Sequence, residues 1–458
     1  MRVLLLNPPS NEKYVKESRC QHKAAVLQSV YPPLTLATIA ALLRDAGHEA
    51  RIDDAMAVGR SGKEILERAA EFAPGLVVVN TATPTLIGDL AFIEELSARI
   101  PSARFVVFGI TAGYFAEEIN RRPAVAAVLC DEPEMTVLDL AGTTDWSVVQ
   151  GIVTKDAGNR VIRTPPREPL DPDRVPQPAW DMVDLSPYRL PVTGERYVMV
   201  ATGRGCPYEC VFCVSPGYYG RKLRAKSVEN VMRELRFAKS LGVSSVFFFV
   251  ETFTLDRRYV KELCGRIEAE SLKITWFCNS RVDTVDLETL RAMRSAGCRV
   301  ISFGIESGSQ PLLDQAKKGT TIAQARDAVD LAKSAGLSTL GHFLLGLPGE
   351  TEKTARETIA FARSLPLDFA EFNIVTPYPG SPLFESSAPT AFDDIDWSRY
   401  EYSRQVIGSG VDLEAVRSRA YHSFYLRPKI LWNMIRSYGW KRLPALVRTG
   451  TNFLRGRF

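Results

Sequence analysis

Short apolar runs closed by polar or glycine-rich turns recur along this chain, alternating with stretches whose apolar positions return every three or four residues. Residues 2–7, 49–53, 76–80 and 105–109 read as buried strands, with a helix over 34–46. That alternation predicts a doubly wound α/β sheet, whose ligands bind beyond the carboxyl ends of the strands. From residue 196 the same rhythm starts again, with strands expected at 197–202, 245–250, 274–279, 300–306, 339–346 and 369–376. Six strand–helix units predict a parallel sheet curled into a partial barrel. Pro165, Pro166, Pro169, Pro172, Pro176, Pro178, Pro187 and Pro191 separate the two patterns, a density that sustains neither helix nor central strand. The expected division is therefore 1–145 for the first unit, 146–195 for a proline-rich linker, 196–385 for the barrel and 386–458 for a small, mainly helical C-terminal region.

Composition narrows the class. With 458 residues, 45% of them hydrophobic and 24% charged, the chain has material for two cores. No apolar run approaches the roughly 20 residues of a membrane span. The opening apolar stretch is too short for a signal peptide, so a cytoplasmic protein is expected. A net charge of +4 does not by itself imply nucleic acid, and no nucleic-acid partner is expected.

Chemistry concentrates in Gly203-Arg204-Gly205-Cys206-Pro207-Tyr208-Glu209-Cys210-Val211-Phe212-Cys213. Three thiolates spaced by three and then two residues can serve one small inorganic core. A cubane iron–sulfur cluster usually takes four protein thiolates, so three leave one iron open to an outside molecule. Zinc is the alternative, but it would want a second pair of ligands, and none of the four histidines is near in sequence. Cys20, Cys130, Cys264, Cys278 and Cys298 stand singly. Cys20 is either an extra ligand or a buried thiol. It lies in the stretch 10–31, which is long for a connector and suits a cover over a ligand.

The cysteine loop, with Phe212 before its last cysteine, resembles the signature of radical S-adenosylmethionine (SAM) enzymes. The resemblance implies a [4Fe-4S] cluster on Cys206, Cys210 and Cys213, SAM chelated to the open iron, and hydrogen abstraction by a 5'-deoxyadenosyl radical. It further implies SAM contacts from Phe212 and, at the strand ends, from Glu251, Arg281, Glu306, Ser307 and Asn373. Taken singly, a glutamate at a strand end is as readily a cap or an ion-pair partner, and Gly304-Ile-Glu-Ser-Gly308 can be simply a turn.

The first unit lacks the Gly-x-Gly-x-x-Gly fingerprint of a dinucleotide site. Its order of features, from Asn7-Pro8-Pro9 through Asp53 and Thr81-Ala-Thr83-Pro-Thr85 to Asp131-Glu132-Pro133-Glu134, resembles the Rossmann-like cobalamin-binding domain that precedes many TIM-type radical SAM barrels. The resemblance implies cobalamin held by Asn7, Pro8, Asp53, Thr81, Thr83, Thr85 and Gly109. The lower-ligand motif Asp-x-His-x-x-Gly is absent, and Gly109-Ile-Thr-Ala replaces the usual Gly-Gly-Pro-His. A retained fold that has lost its corrinoid stays open beside binding.

Together these resemblances imply a cobalamin-dependent radical SAM enzyme that methylates an unactivated carbon. An oxidative cyclase or carbon–carbon bond-forming enzyme without methyl transfer is the alternative, and a non-catalytic corrinoid or redox sensor is a reading of another class. Expected partners are a small-molecule substrate and an electron donor such as a flavodoxin or ferredoxin. Residues 427–458 mix eight Lys and Arg with aromatic and aliphatic residues and hold no acid. Peripheral membrane contact with a lipid-like substrate, and a basic helical tail packed on the barrel, are equal readings of that pattern.

Overall fold

The computed structural model describes residues 1–17, 21–23, 30–191, 193–387, 391–408, 410–428, 430 and 432. The first sheet has seven strands: β1 (Arg2–Asn7), β2 (Glu49–Asp54), β3 (Leu76–Asn80), β4 (Arg104–Phe108), β5 (Ala127–Leu129), β6 (Ile152–Lys155) and β7 (Val161–Arg163). Their order is β2-β1-β3-β4-β5-β6-β7, parallel through β5 and antiparallel after it. All five residues of β3 are buried, as a strand covered on both faces requires. Helices α1 (Leu34–Asp45), α2 (Gly62–Phe72), α3 (Leu86–Arg99) and α4 (Pro133–Gly142) belong to this unit. Ser61 and Glu64 form a reciprocal capping box that starts α2. Strand order reverses between β1 and β3, the place where such sheets bind ligands.

The sheet continues to Arg163, past residue 145 where the sequence pattern ends the unit. β6 and β7 have only four and three residues, joined by the Asp156–Arg160 turn. Strands that short fall below the periodicity that reveals the others.

The second sheet runs β8 (Tyr197–Ala201), β9 (Ser245–Phe249), β10 (Thr275–Arg281), β11 (Cys298–Glu306), β12 (Ser338–Leu345) and β13 (Phe369–Ile374), all parallel and in sequence order. Helices α5 (Val228–Ser240), α6 (Arg257–Ala269), α7 (Leu287–Ser295), α8 (Ile322–Ser334) and α9 (Glu352–Ser364) follow the successive strands, and α10 (Leu413–Tyr425) packs on β13 through Phe372, Tyr421 and Phe424. This is the expected partial barrel. Its outer face is apolar and its inner face mixed: along β13 Ala370, Phe372 and Ile374 are buried while Phe369, Glu371 and Asn373 alternate with them as half-buried.

The linker bridges both units. Trp180 and Tyr188 are buried, Tyr188 donates to Asp54 Oδ2 (2.7 Å), and Ala179 N donates to Ala37 O (2.9 Å). The C-terminal region also bridges them, since Phe392, Ile395, Trp397 and Tyr400 join the apolar cluster of the first unit. Among the described residues no helix is long and apolar enough to cross a membrane. Most of the basic tail, and Cys20, lie outside the described residues.

Candidate active site

Strand β8 leads through Thr202 into a two-residue strand, Gly203–Arg204, that pairs antiparallel with Arg224–Ala225. Gly205 then turns with φ +94°, and a Cβ there would come within 2.3 Å of Lys222 O, so only glycine fits. Cys206 N donates to Gly220 O (3.1 Å), and Cys213 N donates to Cys210 O (3.0 Å). Val211 N donates to Ala316 O (3.0 Å) and Leu383 N to Val211 O (2.9 Å), which ties the loop to two later segments. Val211 and Phe212 pack against a cluster that includes Leu312, Leu347, Val375 and Leu383.

Cys210 is buried and Cys206 and Cys213 half-buried; none of them is in a disulfide. Burial pushes the Cys210 thiol up, with Lys318 and Arg281 opposing it. Among the described residues no three or more His, Cys, Asp or Glu side chains converge on a single ion. A cubane takes one thiolate per iron, so three soft sulfur donors on one loop beside two cations fit such a cluster without meeting at a point.

Arg281, at the end of β10, chelates Asp283 through Nε and Nη2 (2.9 Å each) and donates to Lys318 O (2.9 Å). Its guanidinium lies 3.4 Å from the ring centre of Tyr208, inside the cysteine loop. Glu306 ends β11 at a bulge with φ +68° and accepts from Lys318 Nζ (2.6 Å). Gly304 makes room for that buried pair, because a Cβ there would sit 2.7 Å from Glu306 Oε1 and 2.9 Å from Lys318 Nζ. Glu251 follows β9, near enough to Tyr219 for its charge to add to the burial that raises this phenol. Asn373 is half-buried on the inner face of β13. Ser307 is fully buried, its Oγ 3.1 Å from Thr358 Oγ1 and accepting from Ser309 N (3.1 Å), so it braces the turn.

The loops of the first unit meet the cysteine hairpin across a cleft lined by Glu17, Asn80, Gly109, Glu134, Arg204 and Tyr219, among others. Asn80 Nδ2 donates to Asn7 Oδ1 (3.0 Å) at the point where strand order reverses. Thr81 Oγ1 donates to Phe108 O (2.9 Å), and Gly109, with φ +142°, brings its chain so close that a Cβ would lie 2.5 Å from Thr81 O. Gln21 Oε1 accepts from Thr83 N (2.6 Å) and Thr83 Oγ1 (2.9 Å). Thr85 Oγ1 donates to Asp89 Oδ2 (2.6 Å), and Asp89 is ion-paired with buried Lys16 (2.8 Å). Pro8 is buried beside Asn7. Asp53 is drawn into a different arrangement: its carboxylate is met by Arg60 (2.8 Å), Arg68 (3.0 Å) and Arg51 (3.3 Å).

Arg204 crosses the cleft. It pairs with Glu132 Oε1 (2.8 Å) and with Glu134, and Arg224 also meets Glu132 (2.9 Å). Glu17, fully buried and held by Thr35, has its carboxyl raised to about 7 by burial. His48 sits at the opposite, amino-terminal end of the sheet, its Nδ1 3.0 Å from the Met1 amine. His48, His342 and His422 are absent from the cleft lining, which is mostly polar. Lys318, Lys16, Tyr208 and the Arg204 pairs are missed by sequence reasoning. Arg204, Glu132 and Glu134 stood in the quoted motifs, but nothing local signals that they meet.

Comparison with known proteins agrees with this layout. Residues 200–362 match the Radical SAM superfamily and residues 23–141 the B12 binding domain. An uncharacterized methyltransferase of Pyrococcus horikoshii is 34% identical, covering 94% of each chain. The anaerobic magnesium-protoporphyrin IX monomethyl ester cyclase of Cereibacter sphaeroides is 27% identical over 93% of this chain and 73% of its own. The radical SAM methyltransferase TsrM of Kitasatospora setae, solved with cobalamin and a [4Fe-4S] cluster, shares the fold with a TM-score of 0.69 at 18% identity, covering 93% of this chain and 89% of its own. A B12-binding unit joined to a radical SAM unit defines an enzyme that uses a [4Fe-4S] cluster, SAM and cobalamin. The chain belongs to the cobalamin-dependent radical SAM methyltransferase family.

Proposed function

We propose that the chain transfers a methyl group to an unactivated carbon of a small molecule held between the cysteine hairpin and the first-unit loops. The observation that carries this reading is the cleft itself, where the strand ends of the B12-binding unit face the cysteine hairpin. Cys206, Cys210 and Cys213 would hold the cluster, with Phe212 packing the loop in place. Glu251, Arg281, Glu306, Asn373 and Lys318 are the groups we assign to SAM, and Ser307 acts on the same site by bracing the turn. Asn7, Pro8, Thr81, Thr83, Thr85 and Gly109 would border the corrinoid, while Asp53 holds the arginines beside them. When bound, the cluster and SAM supply a hydrogen-abstracting radical and the corrinoid supplies a transferable methyl group.

The chain's part is positioning. Arg281 and Lys318 place positive charge beside the thiolates, and Arg204 fixes the hairpin against Glu132 and Glu134. The electron donor is a small redox protein of the flavodoxin or ferredoxin type. The product count of the reconstituted enzyme tests the reading once a substrate is turned over. A methylase forms S-adenosylhomocysteine and 5'-deoxyadenosine in equal amounts, whereas a cyclase of the kind seen among the relatives forms no S-adenosylhomocysteine.

A further inference from the structure

Inside the barrel, strand register sets Arg281, Gly304, His342 and Glu371 side by side in one layer across β10, β11, β12 and β13. Neighbouring strands lie about 4.8 Å apart, so His342 stands one strand from Gly304, the residue over which Glu306 and Lys318 pair. His342 Nδ1 is 3.1 Å from Glu371 Oε2. The alternation of both strands turns these two side chains to the inner face, since Phe343 and Phe372 stack on the outer one. Their side chains are 31% and 34% exposed, which on the inside of a barrel means that they border open space rather than packed core.

The layers below differ. Asn279, Ser302, Leu340 and Phe369 form the next layer down, and Phe277 lies one layer deeper, in register with Val300. There Phe247 stacks on Phe277 (4.7 Å between ring centres) and meets Phe249 edge-on (5.8 Å). A lumen polar at its strand-end mouth and aromatic below selects a molecule with a flat apolar face and a polar edge.

We infer that His342, held by Glu371, is the specificity-determining acceptor for a protic group, a hydroxyl or ring N–H, on a flat, largely apolar substrate. When Nδ1–H donates to Glu371, Nε2 is left as the acceptor toward the lumen. Glu371 is a positioning residue: it fixes the tautomer and orientation of the ring. The inference rests on the proposed function and extends the substrate's site from that cleft into the barrel lumen.

Indole, with one apolar face and one N–H, and 1-methylindole, which lacks that donor, are suitable probes. Binding of each to the reconstituted holoenzyme is measured anaerobically by equilibrium dialysis. We expect indole to bind about fivefold more tightly, the worth of one neutral hydrogen bond. In His342→Leu that ratio falls to about one, while Glu371→Gln gives an intermediate ratio; a residue that only supported the fold would weaken both probes alike and leave the ratio unchanged. A wild-type ratio near one, no binding of indole, or an undiminished ratio in His342→Leu overturns the inference. SAM cleavage by the same wild-type preparation is scored separately, so absence of cleavage counts against the proposed function and not against the lumen.

Discussion

Lys318 is silent in the sequence, one lysine in a Lys317-Lys318-Gly319 turn, yet it neutralises Glu306 and helps to offset burial at Cys210. Its role depends on the bulge in β11 that turns Glu306 back, a feature of the folded chain only. Glu17 is a similar case with a consequence that can be measured. Its carboxyl is raised from an ordinary 4.5 to about 7, mainly by burial, so the folded protein keeps it protonated where the unfolded chain has already released the proton. Its contribution to stability is therefore fully present below pH 4.5 and is lost as pH rises to about 7. Glu17→Gln, neutral at every pH, should gain in thermal midpoint over wild type across that window, by at most on the order of 3 kcal/mol. Parallel midpoints from pH 5 to pH 8 would contradict it. Asp53 shows the opposite limit of residue-level reading: its motif position suggested a ligand contact, while three arginines occupy its carboxylate.

At the scale of elements, β1 to β4 and the six strands of the second sheet were legible, most of them as apolar runs that stand out against their flanks, whereas β5, of three residues, was not. β8 and β9 start where the pattern puts them, and β3 spans the predicted residues. The β6–β7 hairpin was not legible, and neither was the short Gly203–Arg204 pairing that presents Cys206. That hairpin makes a sharp prediction. Gly205→Ala drives a Cβ into Lys222 O at a φ that disfavours side chains, so the chain should stay folded while its iron and sulfide content falls severalfold. Iron analysis alongside circular dichroism checks this, and full cluster loading in the variant would refute it. Cys206, Cys210 and Cys213 stood out in the sequence by their spacing. The His342–Glu371 pair did not, since the two stand 29 positions apart and only the β12–β13 register brings them together.

Over the whole molecule, the two units are joined by more than a linker. Arg204 and Arg224 on the cysteine hairpin meet Glu132 and Glu134 on the first unit, while Trp397 and Phe392 pack back onto it. Breaking a buried pair of this kind typically costs about 3–5 kcal/mol because the remaining charge stays buried. The hairpin and the first-unit loops are thus held facing one another by the fold. In the proposed function one chain holds both cofactors across this cleft. The most direct measurement is the electron paramagnetic resonance spectrum of anaerobically reconstituted, dithionite-reduced protein given hydroxocobalamin, recorded with and without SAM, together with the corrinoid retained per chain. The proposed function predicts a reduced-cluster signal that SAM perturbs, about one corrinoid per chain after desalting, and loss of the cluster signal with corrinoid retained in Cys213→Ala. A cluster indifferent to SAM, or a chain that keeps no corrinoid, would contradict it.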